Sequence, residues 1–181
     1  MFIDAWLSKA TLHLYAFGNW GDSVELTAGI AACKKIEQID KDGYTAKFAR
    51  LIYTYRVSQD YDKVIRDGNK LLEQFPYSNA KSYLTLSQRR KGNYQEYIYM
   101  ACQQLREDPL NSGILRDVAQ TLLMFGQSKK AIKYVSALKG DSYYCMTFAR
   151  LIIENKINLL DSLLNQAEND ASEYFSEEGE K

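Results

Sequence analysis

Few side chains in this sequence are suited to acid–base, metal or nucleophilic chemistry. His13 is the single histidine, and Cys33, Cys102 and Cys145 are the cysteines. A metal or acid–base centre needs several such groups converging, commonly with ligands two to four residues apart. His13 has no cysteine or carboxylate at that spacing, and Asp4 lies about two and a half helical turns away. The cysteines are far apart and set in apolar helical patterns. They read as small core residues of a reduced, cytoplasmic protein. Gly18-Asn19-Trp20-Gly21-Asp22 has the glycine content of a phosphate loop. It lacks the Lys-Ser/Thr pair that holds phosphate and magnesium, and no strand precedes it. No nucleophile, base and orienting group come together, so the sequence reads as a non-enzyme with no cofactor and no metal.

The remaining chemistry is recognition. The chain has 181 residues, 46% hydrophobic and 25% charged, which is a globular composition long enough for one domain or a short array. Net charge is zero, which argues against nucleic acid as the partner. Charge is unevenly spread, however. Residues 168–181 hold six acids (Glu168, Asp170, Glu173, Glu177, Glu178, Glu180) and one base, leaving 22 bases and 17 acids in a body of net +5. The tail reads as a solvating or frayed terminus, with screening of a basic groove as its functional alternative. Met1 to Phe17 is apolar but contains Asp4, Lys9 and His13, without a basic leader or small-residue cleavage site. It reads as a helix of the fold rather than a signal peptide, and no stretch has the length of a membrane span.

The elements that must position recognition residues are helices. Only two prolines are present, Pro76 and Pro109, both where a helix should end, and alternating β-branched runs are missing. Apolar spacing predicts helices over about 4–17, from Asp22 or Ser23 to Ile36, 45–57 and 61–74. It continues with a helix capped by Ser78 to Arg90, then 94–106, a helix opened by Asn111 or Ser112, and 128–138. Two more follow over 143–155 and 159–168, giving about ten. Phe48-Ala49-Arg50-Leu51-Ile52 returns as Phe148-Ala149-Arg150-Leu151-Ile152, 100 residues later, and the two prolines are 33 apart. A gap of three such steps matches the period of stacked helical hairpins.

On these residues the chain resembles the tetratricopeptide repeat family. Phe48, Leu51, Tyr55, Tyr61 and Pro76 follow that family's order of bulky, aliphatic, aromatic and proline positions. Leu84, Gly92-Asn93-Tyr94, Ala101 and Pro109 repeat it, as do Leu115, Val118, Leu122, Gly126, Ala131 and Leu138. Phe148, Leu151 and Leu163-Leu164 echo it once more. The pattern is degenerate: Val64 and Tyr97 stand where the family has a small alanine. The resemblance implies an all-α fold, a right-handed superhelical array of antiparallel helix pairs. Its units fall at approximately 4–43, 45–77, 78–110, 112–141 and 143–167.

In that family the first helix of each pair lines a concave face that binds peptides. Carried over by register, this places Arg50, Tyr53 and Arg56 in the second unit, and Tyr83, Arg89 and Arg90 in the third. Arg116 and Gln120 follow in the fourth and Arg150 in the last. Arginine offers a planar fork of donors for carboxylates, and tyrosine offers rigid amphipathic contact area. The plainer reading of each arginine is solvation or pairing with an acid of a neighbouring helix. The implied function is a protein–protein adaptor, scaffold or chaperone-like module that binds a partner's peptide or helix, with an acidic segment as one fit. RNA or DNA binding by a helical repeat is one alternative. Self-assembly through the apolar Met1-Phe2-Ile3-Trp6 end is another.

Overall fold

In a computed structural model, the residues described are 2–76, 78–138, 146, 147, 149, 150, 154, 159 and 162. Among them the fold is all-helical, with eight α-helices and no strand. These are α1 (Ile3–Trp20), α2 (Ser23–Ile39), α3 (Tyr44–Tyr53), α4 (Tyr61–Gln74), α5 (Ala80–Arg90), α6 (Tyr94–Glu107), α7 (Ser112–Met124) and α8 (Ser128–Val135). The helices expected over 143–155 and 159–168 lie almost wholly outside the described residues, as do Cys145, Phe148, Leu151, Ile152 and the acidic tail. The chain divides into two compact units, residues 1–97 and 98–181. No described helix is long and apolar enough to cross a membrane.

Side-chain caps fix three of the helix starts. Asp22 caps α2 by accepting from the Val24 N–H, Asp60 caps α4 by accepting from Lys63, and Asn111 caps α7 by accepting from Ile114. Each satisfies a donor that the first helical turn leaves unpaired. Several ends differ from expectation: α2 runs on to Ile39 rather than Ile36, α5 opens at Ala80 after Asn79 rather than being capped by Ser78, and α8 stops at Val135 rather than at 138. The break expected over Gly18-Asn19-Trp20-Gly21 comes only at its last residue, and α1 runs on through Trp20. Gly21 closes it with φ of 73° and an N–H bond of 2.8 Å to the Phe17 carbonyl. That left-handed geometry suits glycine, whereas Gly18 stays helical. The helix predicted to reach residue 57 leaves α geometry earlier, after Tyr53. It continues as a π-helical turn over Thr54–Ser58 and ends at Gln59, a non-glycine residue with φ of 53°.

In the N-terminal unit, Ala10, Ala32, Ile36, Ala46 and Ala49 form a buried cluster, with Ile3, Trp6, Leu7 and Cys33 packed on it. Small side chains let α1, α2 and α3 meet closely. Burial, followed by the nearby charge of Glu37, pushes the Cys33 thiol up to about 11, so the sulfur stays a neutral core atom. Of the apolar N-terminal end, Ile3 and Trp6 face this cluster and Phe2 is exposed.

The tightest helix approaches use glycine. A Cβ at Gly29 of α2 would lie 2.6 Å from Leu14 Cδ2 of α1. One at Gly68 of α4 would lie 2.0 Å from Leu84 Cδ1 of α5 and 3.7 Å from Leu51 Cδ1 of α3. The close approach is therefore made at Gly68, about one turn beyond Val64, which is itself fully buried. Extensive contacts join α1 with α2, α4 with α5, and α7 with α8.

Leu51 is 2% exposed where α3, α4 and α5 converge. Leu51→Ala is expected to lower unfolding stability by about 2–5 kcal/mol in urea titration followed by circular dichroism. Gly68→Val, which drives a branched side chain into Leu84, is expected to lower it by about 1–3 kcal/mol. Midpoints and slopes equal to wild type would disprove this convergence.

Candidate functional site

The sequence-derived residues divide between the two units. Arg50, Tyr53, Arg56, Tyr83, Arg89 and Arg90 belong to the N-terminal unit, and Arg116, Gln120 and Arg150 to the C-terminal one. Their environments separate them further.

Most of these arginines have partners within the chain. Arg50 on α3 donates through Nε to Glu37 Oε1 of α2 at 2.8 Å, and through Nη2 to the Lys41 carbonyl in the following turn. It thereby ties α3 to α2 within an open depression of about 500 Å³ whose wall also holds Lys34, Gln38 and Asp42. That wall carries both signs of charge. Arg89 lies over the buried Tyr97 ring at 5.7 Å, and Arg116 is 3.5 Å from the neighbouring Asp117 carboxylate. Arg90 and Gln120 are exposed, and Tyr53 is half-buried on the last turn of α3. Arg150 has a buried Nε without a hydrogen-bond partner, and its backbone carbonyl accepts from the Glu154 N–H at 2.9 Å.

Arg56 is different. It sits in the π turn, with its guanidinium carbon 4.6 Å from the Tyr15 ring centroid and 5.3 Å from that of Tyr55. Its Nε is buried without a hydrogen-bond partner, and no carboxylate pairs with it among the described residues. Gly18 makes room for it: a Cβ there would come within 2.9 Å of Arg56 Cδ and 3.5 Å of Nη1. Gly18 is therefore a contact surface for Arg56 rather than a helix stop, which explains why α1 continues past it.

Rings extend the cluster. Tyr83 on α5 packs edge-on against Tyr55 at 5.3 Å and against Phe48 at 5.7 Å, while Phe48 stacks on Tyr44 at 5.6 Å. Burial raises the Tyr83 hydroxyl above its usual range, the positive charge of Arg56 pulls it back, and Tyr55 raises it further. Arg56 and Tyr83, two residues from the sequence-derived set, are thus brought into one electrostatic neighbourhood with Tyr55. Tyr15 and Gly18, from the first helix, were not among the expected site residues. The available sequence signal was a glycine three residues after a tyrosine inside an otherwise helical pattern.

The energetics of the cluster are unbalanced. A buried, unpaired N–H destabilises by about 1–3 kcal/mol, whereas a cation over an aromatic face returns about 0.5–2 kcal/mol. The rings accommodate the charge without neutralising it. Departures of this kind, a π turn and a positive-φ residue beside an unsatisfied cation, are concentrated at functional sites.

Elsewhere the polar groups look structural. His13 Nδ1 and Glu25 Oε2 are 2.6 Å apart and join α1 to α2. Lys91 pairs with Asp62 and holds that carboxyl below its usual range, chiefly through the hydrogen bond and then through charge. Cys102 Sγ and Tyr134 Oη share a hydrogen bond of 3.4 Å, which together with burial pushes the tyrosine up to about 12. Among the described residues no three His, Cys, Asp or Glu side chains are grouped to hold a metal. No family model and no curated protein matches the sequence.

Because Arg56 favours the Tyr83 phenolate, Arg56→Gln is expected to raise the Tyr83 pKa further, as read by NMR of a ring-labelled tyrosine across an alkaline titration. An unchanged or lowered value would place the Arg56 charge away from Tyr83.

Proposed function

We propose that this protein is a non-enzymatic, cytoplasmic interaction module. In this reading its helix pairs form a tetratricopeptide-like right-handed array that holds a peptide or helix of a partner protein along its first helices. One observation carries the proposal. The exposed Tyr15 ring and the Arg56 guanidinium, which lacks a carboxylate partner among the described residues, lie together on α1 and the end of α3, with Tyr83 of α5 beside them. Tyrosine and arginine are among the residues enriched where interface contacts concentrate binding energy, since both bring contact area and directed donors. The intramolecular ties of Arg50 and Arg116 move the proposed contact away from those residues and onto the Arg56 cluster.

Panning the immobilised full chain against random dodecapeptides tests this reading. Enriched peptides are expected to bind with micromolar affinity in fluorescence anisotropy and to lose about tenfold or more with Tyr15→Ala, the loss typical of a contact hot spot. Tyr99→Ala, which removes an exposed ring of α6 outside the cluster, should leave binding unchanged. No enrichment, or peptides indifferent to Tyr15, would overturn the proposal.

A further inference from the structure

We infer that the outer face of α1 docks on α1 of a second copy of this chain, the two helices running antiparallel about a two-fold axis. This goes beyond the peptide-binding reading and does not rest on it. The first ground is the composition of that face. Ala5, Ser8, Leu12, Tyr15 and Asn19 recur at alternating three- and four-residue spacing, the stripe by which one helix packs along another. All five are exposed and none is charged. A face left to water reads differently: α4 exposes Asp62, Lys63, Arg66, Asp67 and Lys70. Leu12 is 66% exposed at the middle of the stripe. The surface also differs from the apolar N-terminal end suggested by the sequence, whose Ile3 and Trp6 face the core.

The second ground is self-complementary shape. The stripe opens on small residues, Ala5 and Ser8, and continues with large ones, Leu12 and Tyr15. A parallel second copy sets large on large and small on small. In an antiparallel pair, the register that sets Leu12 over the second copy's Ser8 also sets Tyr15 over the second copy's Ala5, and symmetry repeats both contacts. The third ground is area. Phe2 and Trp20 are 18 residues apart, about five full turns, so they share one flank of the stripe. In the same register each Phe2 comes within about one turn of the other copy's Trp20 on that flank. Phe2, Tyr15 and Trp20 are 86%, 49% and 76% exposed. A fully covered ring buries about 150–250 Å², so two copies bury about 600–1,000 Å² from these rings alone. Leu12 and the small residues bring the pair to the roughly 1,200 Å² at which specific association begins. Tyr15 is common to this surface and the Arg56 cluster, so self-association covers the ring proposed to meet a peptide.

Interfaces of this size associate in the micromolar range, so sedimentation equilibrium from about 1 to 100 μM is expected to show the 20.8 kDa chain passing to twice that mass. Two-fold pairing is closed, so the mass should stop there. Leu12→Glu is expected to weaken association about tenfold or more. Its circular dichroism and melting temperature should match wild type, because Leu12 is exposed. Ser8→Lys should also weaken association. Mixing the two variants should give a pair tighter than either forms alone, since the register sets residues 8 and 12 opposite each other between copies. Tyr99→Ala, which removes an exposed ring of α6, should leave the mass unchanged. A wild-type chain that stays monomeric, a mass that grows past two chains, or a dimer indifferent to Leu12→Glu overturns the inference. Failure of the mixed variants to associate more tightly than each alone overturns the antiparallel pairing.

Discussion

Close approach between helices at two glycines is the constraint on which the N-terminal unit depends. Leu14 of α1 fills the space left by the absent side chain of Gly29, and Leu84 of α5 fills that at Gly68. With no Cβ at either crossing, backbones come near enough for Leu51, Leu84 and the alanine cluster to exclude water. Dense packing of this kind is intolerant of added volume, and it holds α1, α3 and α5 rigidly enough to fix where their remaining side chains project. The ring contacts from Tyr44 through Phe48 and Tyr83 to Tyr55 rest on that framework.

On this framework the arginines meet different fates for simple geometric reasons. Arg50 lies one turn before the π turn and reaches back to Glu37 and the Lys41 carbonyl. Arg56 lies inside the π turn, whose wider winding carries it toward α1 and places it over Tyr15 instead of an acid. Aromatic faces hold a cation by their quadrupole, so the charge is housed while the buried Nε–H is left without an acceptor. The stability lost at Nε is tolerable because the surrounding core is well packed. Natural proteins concentrate such local violations at functional sites.

Much of this was legible in the chain. Aspartate and asparagine caps, the prolines and the 3.6-residue apolar period predicted α4 at its observed limits and α2, α6 and α7 within a few residues. Those signals act over one or two turns and need no distant partner. The two glycine crossings were not legible, because a glycine in a helix pattern can equally be a stop, a contact or an accident. Gly18 shows the ambiguity: its neighbours suggested a break, whereas its use is to admit Arg56. The π turn was hidden for a related reason, since nothing in Thr54-Tyr55-Arg56-Val57-Ser58 distinguishes π from α winding before α1 and α5 are packed beside it.

By itself, then, the sequence determined an all-helical fold for the described residues, where most of their helices start and stop, and which arginines and tyrosines to consider. These follow from local hydrogen-bonding chemistry and from periodic burial, both written into short windows. Only the tertiary structure decided which arginine is occupied by its own chain and which is not. That outcome depends on whether an acid or a ring from another helix arrives within about 4–6 Å, a distance set by how closely the backbones pack. At Arg56 the close approach to α1 uses the absence of a side chain at Gly18.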